Sequence, residues 1–264
     1  MTITVRRVKF EFPDDVDDVF PGDDPVGECA RVAFSLTLPH LEPYLIRVYR
    51  SALGQITDDR LKADVEAFIG QEAQHHRNHS RVNDIIKGRL ESTFAAKLQS
   101  IEDELEADYR RFTDTKSLRY NLVYAEGFEA MTCAWALTVF ELAAEPGGMP
   151  ARFGPWQQLW AWHSAEEIEH RTVAFEVYEQ LYGKYPYRVA GSLRSQRHFL
   201  RYIDRLQKVL LAANGLPTRT PVSQLVRNSR YRRTFLPGYH PRDLTISPLV
   251  EVVLSQFRSS GDHS

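Results

Sequence analysis

Glu72-Ala-Gln-His75 and Glu167-Ile-Glu-His170 repeat one pattern, Glu-x-x-His, 95 residues apart. Side chains three apart on a helix leave the same face, so each copy offers one carboxylate and one imidazole to a shared space. One copy arises by chance in many exposed helices, whereas two copies in helix-like segments point to a pair of metal ions held between helices. A carboxylate-bridged pair of this kind takes one further Glu from each of two other helices. Glu42 precedes the first copy by 30 residues and Glu126 precedes the second by 41. Those spans fit part of a helix, a loop and part of the next. Glu126 stands in the apolar run Tyr120-Asn-Leu-Val-Tyr-Ala-Glu-Gly-Phe128, where an unpaired carboxylate is costly to bury and coordination removes the cost.

His163 lies four residues before Glu167 and seven before His170, on the same helical face. On the residues alone it is either a further imidazole of the site or a core histidine held by hydrogen bonds. His79, one turn beyond His75 and so displaced by about 5.4 Å along the axis, is expected behind the ligands. Glu166, Glu169 and Arg171 are expected to point elsewhere, on a solvated or ion-paired face, and His76 likewise.

Oxygen and nitrogen donors without thiolate fit iron or manganese better than structural zinc. Two iron ions are the expectation, with manganese and zinc left open. Cys29 and Cys133 are isolated and read as packed thiols. The formal net charge of −2 gives no basic excess for nucleic acid. The cluster Arg227, Arg230, Arg232 and Arg233 is read as a solvated face first and as a site for a phosphate of a carrier or coenzyme A second. No run approaches the ~20 apolar residues of a membrane span and the N-terminus lacks an apolar signal core, so a cytoplasmic location without a membrane span is expected. Gly-x-Gly-x-x-Gly, Gly-x-Ser-x-Gly and phosphate-binding glycine loops are absent from the sequence, which leaves the metals to do the chemistry.

The elements that must position these residues read as helices. Residues 1–27 form an arm with a strand-like run from Thr4 to Phe12. Helical pattern runs from Cys29 to Leu38, is broken by Pro39 and Pro43 so that Glu42 sits at a helix start or kink, and resumes from Tyr44 to Leu53. Further helices are expected over 57–87, 93–112, 117–144, 150–182 and 188–213, followed by a turn-rich stretch and a short apolar segment over 246–257. The fold class is all-α, a ferritin-like four-helix bundle over 28–183 with additional helices in an extension over 184–264, within a single domain. Trp156, Trp160, Trp162, Phe153 and Phe175 are read as core residues first and as a pocket wall second.

Phe34-Ser-Leu-Thr-Leu-Pro-His-Leu-Glu42, Phe68-Ile-Gly-Gln-Glu-Ala-Gln-His75 with His79, and Trp162-His-Ser-Ala-Glu-Glu-Ile-Glu-His-Arg-Thr-Val-Ala-Phe175 resemble the bacterial family described as predicted metal-dependent hydrolases. A looser match lies at Phe235-Leu-Pro-Gly-Tyr-His-Pro241. Two departures stand out: Leu41 and Pro43 around Glu42, and Gly127 and Glu129 after Glu126, where the family pattern carries His and Thr. Members of the family are similar in motif order to ferritin-like di-iron oxygenases. In the arylamine N-oxygenase type, a third His at the spacing of His163 joins the metal shell. The resemblance therefore implies a ligand set of Glu42, Glu72, His75, Glu126, His163, Glu167 and His170. It implies a di-iron monooxygenase that takes electrons from an external donor and oxidises an apolar small molecule, in natural-product or lipid-like metabolism. The alternative is a hydrolase that uses water activated by the ions. The substrate, free or linked to a carrier or coenzyme A, and the oligomeric state, a homodimer among the options, are left open.

Overall fold

In the computed structural model, which describes residues 2–12, 24–145, 147–148, 154–218 and 228–257, helix α1 runs unbroken from Pro25 to Ala52 through Pro39 and Pro43. The expected interruption does not occur, and Glu42 lies mid-helix. Each proline withholds one N–H from the carbonyl four residues back. The next helix meets the carbonyl that Pro39 leaves free, where Asn83 Nδ2 donates to the Ser35 carbonyl at 2.8 Å.

That next helix, α2 (Asp59–Gly88), starts where Asp58 accepts a hydrogen bond from Leu61 N. It is followed by α3 (Ser92–Thr115), α4 (Leu118–Ala144, capped by Ser117), α5 (Pro155–Glu169), α6 (Val173–Leu181) and α7 (Tyr185–Ala213). Short helices α8 (Ser229–Arg233) and α9 (Leu249–Gln256) close the described chain. The single helix expected over 150–182 is two. The chain leaves helical geometry at His170, and Val173 N bonds back to the His170 carbonyl at 3.0 Å.

No strand occurs among the described residues, so the fold is all-helical. The run from Thr4 to Phe12 is extended without a strand partner. It lies instead along α2 and α5: Asn78 Nδ2 donates to the Val8 carbonyl, and the Phe10 ring packs on Trp162 at 5.6 Å. Gly70 lets the arm close in, since a Cβ there would stand 2.6 Å from a Val5 methyl.

Helix α1 packs on α2, α3 and α7, and α4 packs on α5, α6 and α7. Their shared core holds Tyr44, Tyr49, Phe68, Tyr109, Trp156, Trp162 and Phe199. Each large apolar side chain so buried contributes about 1.5–3 kcal/mol relative to exposure, enough for the fold to carry a polar centre inside it. At the α4–α7 seam the backbones approach closely because residue 127 is glycine; a Cβ there would stand 2.6 Å from Ser192 Cα. Among the described residues, no helix is long and apolar enough to cross a membrane.

Candidate metal centre

Four helices deliver side chains to one buried space. Glu42 comes from α1, Glu72 and His75 from α2, Glu129 from α4, and His163 and Glu167 from α5, whose C-terminal cap is His170. None is more than 4% exposed. Their donor atoms form three overlapping groups, Glu42–His75–His163, Glu72–His75–Glu167 and Glu72–Glu129–His170, each within 4.8 Å. Glu72 Oε1 lies 3.7 Å from His75 Nδ1 and 3.8 Å from His170 Nε2. Glu167 Oε1 lies 3.1 Å from His163 Nε2 and 3.5 Å from His170 Nε2. The two motif glutamates thus stand between imidazoles, with Glu42 toward one end and Glu129 toward the other.

Glu126 is not among these residues. Its carboxylate accepts hydrogen bonds from Arg188 at 2.8 Å and Ser192 at 2.9 Å, both on α7. The place expected for it is taken by Glu129, one turn along α4, whose Oε2 lies 3.2 Å from His170 Nε2. The physical reason is the α4–α7 seam. Arg188 of α7, itself buried, neutralises Glu126, and the other buried carboxylate of α4, Glu129, meets His170 at the end of α5. His163 stands inside the cluster, beside Glu42 and His75 as well as Glu167. His79 stands behind it, with its Nε2 2.9 Å from His163 Nδ1.

Hydrogen bonds around the cluster fix where each neutral imidazole keeps its lone pair. Asn83 Nδ2 donates to the Ser35 carbonyl, so its Oδ1 accepts from Ser35 Oγ at 2.6 Å. A hydroxyl has one proton to give, so Ser35 Oγ accepts from His79 Nδ1 at 2.8 Å. His79 Nε2 then accepts from His163 Nδ1, and the lone pair of His163 lies on Nε2, toward Glu167. Gln71 Nε2 donates to the Thr4 carbonyl and to Glu169, so its Oε1 accepts from His170 Nδ1 at 2.9 Å. The lone pair of His170 is thereby set on Nε2. His75 Nε2 donates to Glu166 Oε2 at 3.0 Å, which leaves the lone pair on Nδ1, toward Glu72. All three lone pairs therefore point at carboxylate oxygens, an arrangement that a cation shared between them, a metal ion or a proton, satisfies.

Charge points the same way. Among the described residues no Arg or Lys pairs with Glu42, Glu72, Glu129 or Glu167. Both Glu42 oxygens, Glu72 Oε1, Glu129 Oε1, His75 Nδ1 and His170 Nε2 are buried without a hydrogen bond. Burial, then the charges of Glu72, Glu167 and Glu129, pushes the Glu42 carboxyl well above its usual range. Burial and Glu167 push Glu129 up to about 8. Burial works to lower His75, but Glu166 and Glu72 outweigh it and raise the imidazole to about 9. His170 goes well above its ordinary value, with burial opposed and overcome by Glu167 and Glu129. For Glu167, burial pushes up, and the opposing pull of His170 and His163 leaves it well below. Without metal, protons are drawn into the gaps that a cation would fill. The donor set fits hard or borderline divalent ions bound by oxygen and imidazole.

The profile of the family described as "Predicted metal-dependent hydrolase" matches residues 4–245. The chain belongs to this family. No curated protein and no solved structure matches.

The span shared with the metal-dependent hydrolase family includes the whole cluster and the arm residue Arg6. Several residues at the site escape a reading of the sequence. Glu166 and Glu169, expected on an exposed or ion-paired face, are buried and paired with Arg6. Gln71 precedes His75 by one turn on the ligand face, which was the one available signal for it. Thr132 Oγ1 donates to Glu167 Oε2 at 2.6 Å. The Tyr49 hydroxyl is buried without a partner; burial and then the charges of Glu129, Glu126 and Glu72 hold it well above its ordinary pKa. Elsewhere, Arg171 donates to the Pro241 and Ile168 carbonyls, and His76 is half-buried. Cys29 and Cys133 are buried free thiols, pushed up by burial to about 11 and about 12. Trp156, Trp162 and Phe175 are buried and Trp160 half-buried. Arg230 pairs with Glu141, while Arg232 and Arg233 are exposed. Arg227 and Phe153 lie outside the described residues.

Proposed function

We propose that the protein is a dinuclear metal enzyme of ferritin-like type that uses O2 to oxidise an apolar small molecule. The observation that carries this reading is the donor set: four carboxylates and three directed imidazoles, buried together without a pairing Arg or Lys. Glu42, His75 and His163 would hold one ion and Glu129 and His170 the other, with Glu72 and Glu167 between them. Bound iron would supply the reductive activation of O2. The rest falls to the chain. Gln71, Glu166 and His79 keep the imidazoles aimed. Phe68, edge-on to His170 at 4.7 Å, and Trp162, edge-on to His75 at 4.8 Å, keep bulk water from the cluster.

Conversion of a C–H or N–H bond to C–OH or N–OH takes one O2, two electrons and two protons, and releases one water. The electrons require an external donor protein or small reductant. A substrate linked to coenzyme A or a carrier would find Arg232 and Arg233 free on the surface.

A second reading is hydrolysis, in which the same side chains hold ions that polarise a substrate carbonyl or phosphoryl group and lower the pKa of water. The family's description favours it. Burial favours the first, because a carboxylate-rich centre sealed by aromatic rings protects an oxidant better than it admits water. Isotope labelling separates them. Oxygen from labelled O2 should enter the product in the presence of reductant; label arriving from water under anaerobic turnover would leave the hydrolase.

A further inference from the structure

We infer that Arg6 is a positioning residue of the metal centre: the N-terminal arm holds the carboxylates and the amide that aim His75 and His170, so arm docking and metal binding strengthen each other. The inference rests on the cluster being a metal centre. It concerns a residue that is far from the cluster in sequence and touches no ligand itself.

Arg6 is 3% exposed. Its Nη1 donates to Glu166 Oε1 at 3.0 Å and to Glu169 Oε2 at 2.8 Å, and its Nη2 donates to Glu169 Oε1 at 2.9 Å. From there two short paths reach the ligands. Glu166 Oε2 accepts from His75 Nε2, while its Oε1 also accepts from Trp162 Nε1 at 3.0 Å. Glu169 Oε2 accepts from Gln71 Nε2 at 2.6 Å, and Gln71 Oε1 accepts from His170 Nδ1. The arm backbone closes the second path. Gln71 Nε2 also donates to the Thr4 carbonyl, and Thr4 N donates to Glu169 Oε2 at 3.2 Å.

Two buried carboxylates set side by side repel each other, and a guanidinium fork is the side chain that can hold both in one fixed geometry. With Arg6 gone, Glu169 keeps only Gln71 and the Thr4 amide, and Glu166 only Trp162 and His75. Glu169, no longer held by the guanidinium, can then shift together with the Gln71 amide it accepts from, which loosens the bond from His170 Nδ1 to Gln71 Oε1 that keeps the lone pair on Nε2. Groups that fix the outer nitrogen of a ligand histidine typically contribute about 10–100-fold to metal affinity. Coupling of two binding events is reciprocal. Whatever Arg6 contributes to holding metal, metal contributes to holding the arm.

Two experiments on the full-length chain test this. Amide hydrogen exchange of the metal-free protein is compared with protein loaded with ferrous iron under nitrogen. The amides of Thr4 and Phe10, bonded to Glu169 and Asn78, should exchange at least about 10-fold more slowly when metal is bound. In parallel, iron affinity by chelator competition should fall about 10–100-fold in Arg6→Met and recover in part in Arg6→Lys, at unchanged helical content. Unchanged exchange in the arm on loading, or an Arg6→Met chain that binds iron like the wild type, would overturn the inference and leave Arg6 as packing. Should Arg6→Met fail to fold, the exchange measurement on wild type decides alone. A wild-type chain that takes up no metal would instead overturn the metal-centre reading itself.

Discussion

Glu126 and Glu129 lie one turn apart on α4, both buried, yet one sits in a region whose charges close and the other in a region whose charges do not. Around Glu126, Arg188 supplies the countercharge, Ser192 a second donor, and Arg188 Nη2 goes on to the Thr234 carbonyl at 3.0 Å. Burial pushes that carboxyl up while Arg188 and Ser192 pull it down. Around Glu129, the neighbours are His170, Glu167 and Glu72, and one of its oxygens has no hydrogen bond. Burial alone therefore does not make a carboxylate a candidate ligand. What singles out Glu129 is that no Arg or Lys among the described residues pairs with it.

The largest effect should follow loss of a carboxylate that stands between imidazoles. Glu167→Ala removes the partner of both His163 and His170, and should abolish metal uptake. The loss, read by elemental analysis, should exceed the about 10–100-fold typical of an outer hydrogen-bond partner. Glu126→Ala should act on stability instead. It strands Arg188 in the core and should cost about 3–5 kcal/mol by urea titration, at unchanged metal content. A metal-depleted but equally stable Glu126→Ala protein would erase the distinction between the two regions.

Glu129→Leu sharpens the comparison from the other side. In the metal-free chain it removes an unsatisfied buried group and should raise stability by about 1–3 kcal/mol; the same change should lower iron content. Smaller still is a pH effect. Glu129 at about 8 and His75 at about 9 both titrate above their unfolded values. The folded chain therefore holds protons that the unfolded chain releases, so stability is greatest at low pH and falls as pH rises from the unfolded values through these folded ones. The melting temperature of metal-free protein should fall between pH 7 and pH 9, and metal loading should suppress that fall. A flat profile without metal would mean that the cluster is not holding protons in place of ions.

Much of this was legible in the sequence. The doubled Glu-x-x-His lies on two helices and converges, and the helical pattern over 57–87, 93–112 and 117–144 matches α2, α3 and α4 closely. Glu126 against Glu129 was not legible. The two stand about 4.5 Å apart along the axis of α4, and loop lengths do not fix helix register finely enough to say which of them faces the cluster. The countercharge that settles it, Arg188, is 62 residues away and becomes a neighbour only when α7 docks. The Arg6 pairs with Glu166 and Glu169 escaped for the same reason, across 160 and 163 residues. Pro39 and Pro43 misled in another way. Sequence shows the missing N–H groups but not the Asn83 side chain that takes up the carbonyl freed by Pro39.

One measurement bears on the central claim most directly: iron per chain in wild type, Glu126→Gln and Glu129→Gln, each loaded anaerobically and freed of excess metal. The account predicts about two ions in the wild type, as for a carboxylate-bridged pair, the same in Glu126→Gln, and a clear deficit in Glu129→Gln. Equal occupancy in all three, or a deficit in Glu126→Gln alone, would contradict it.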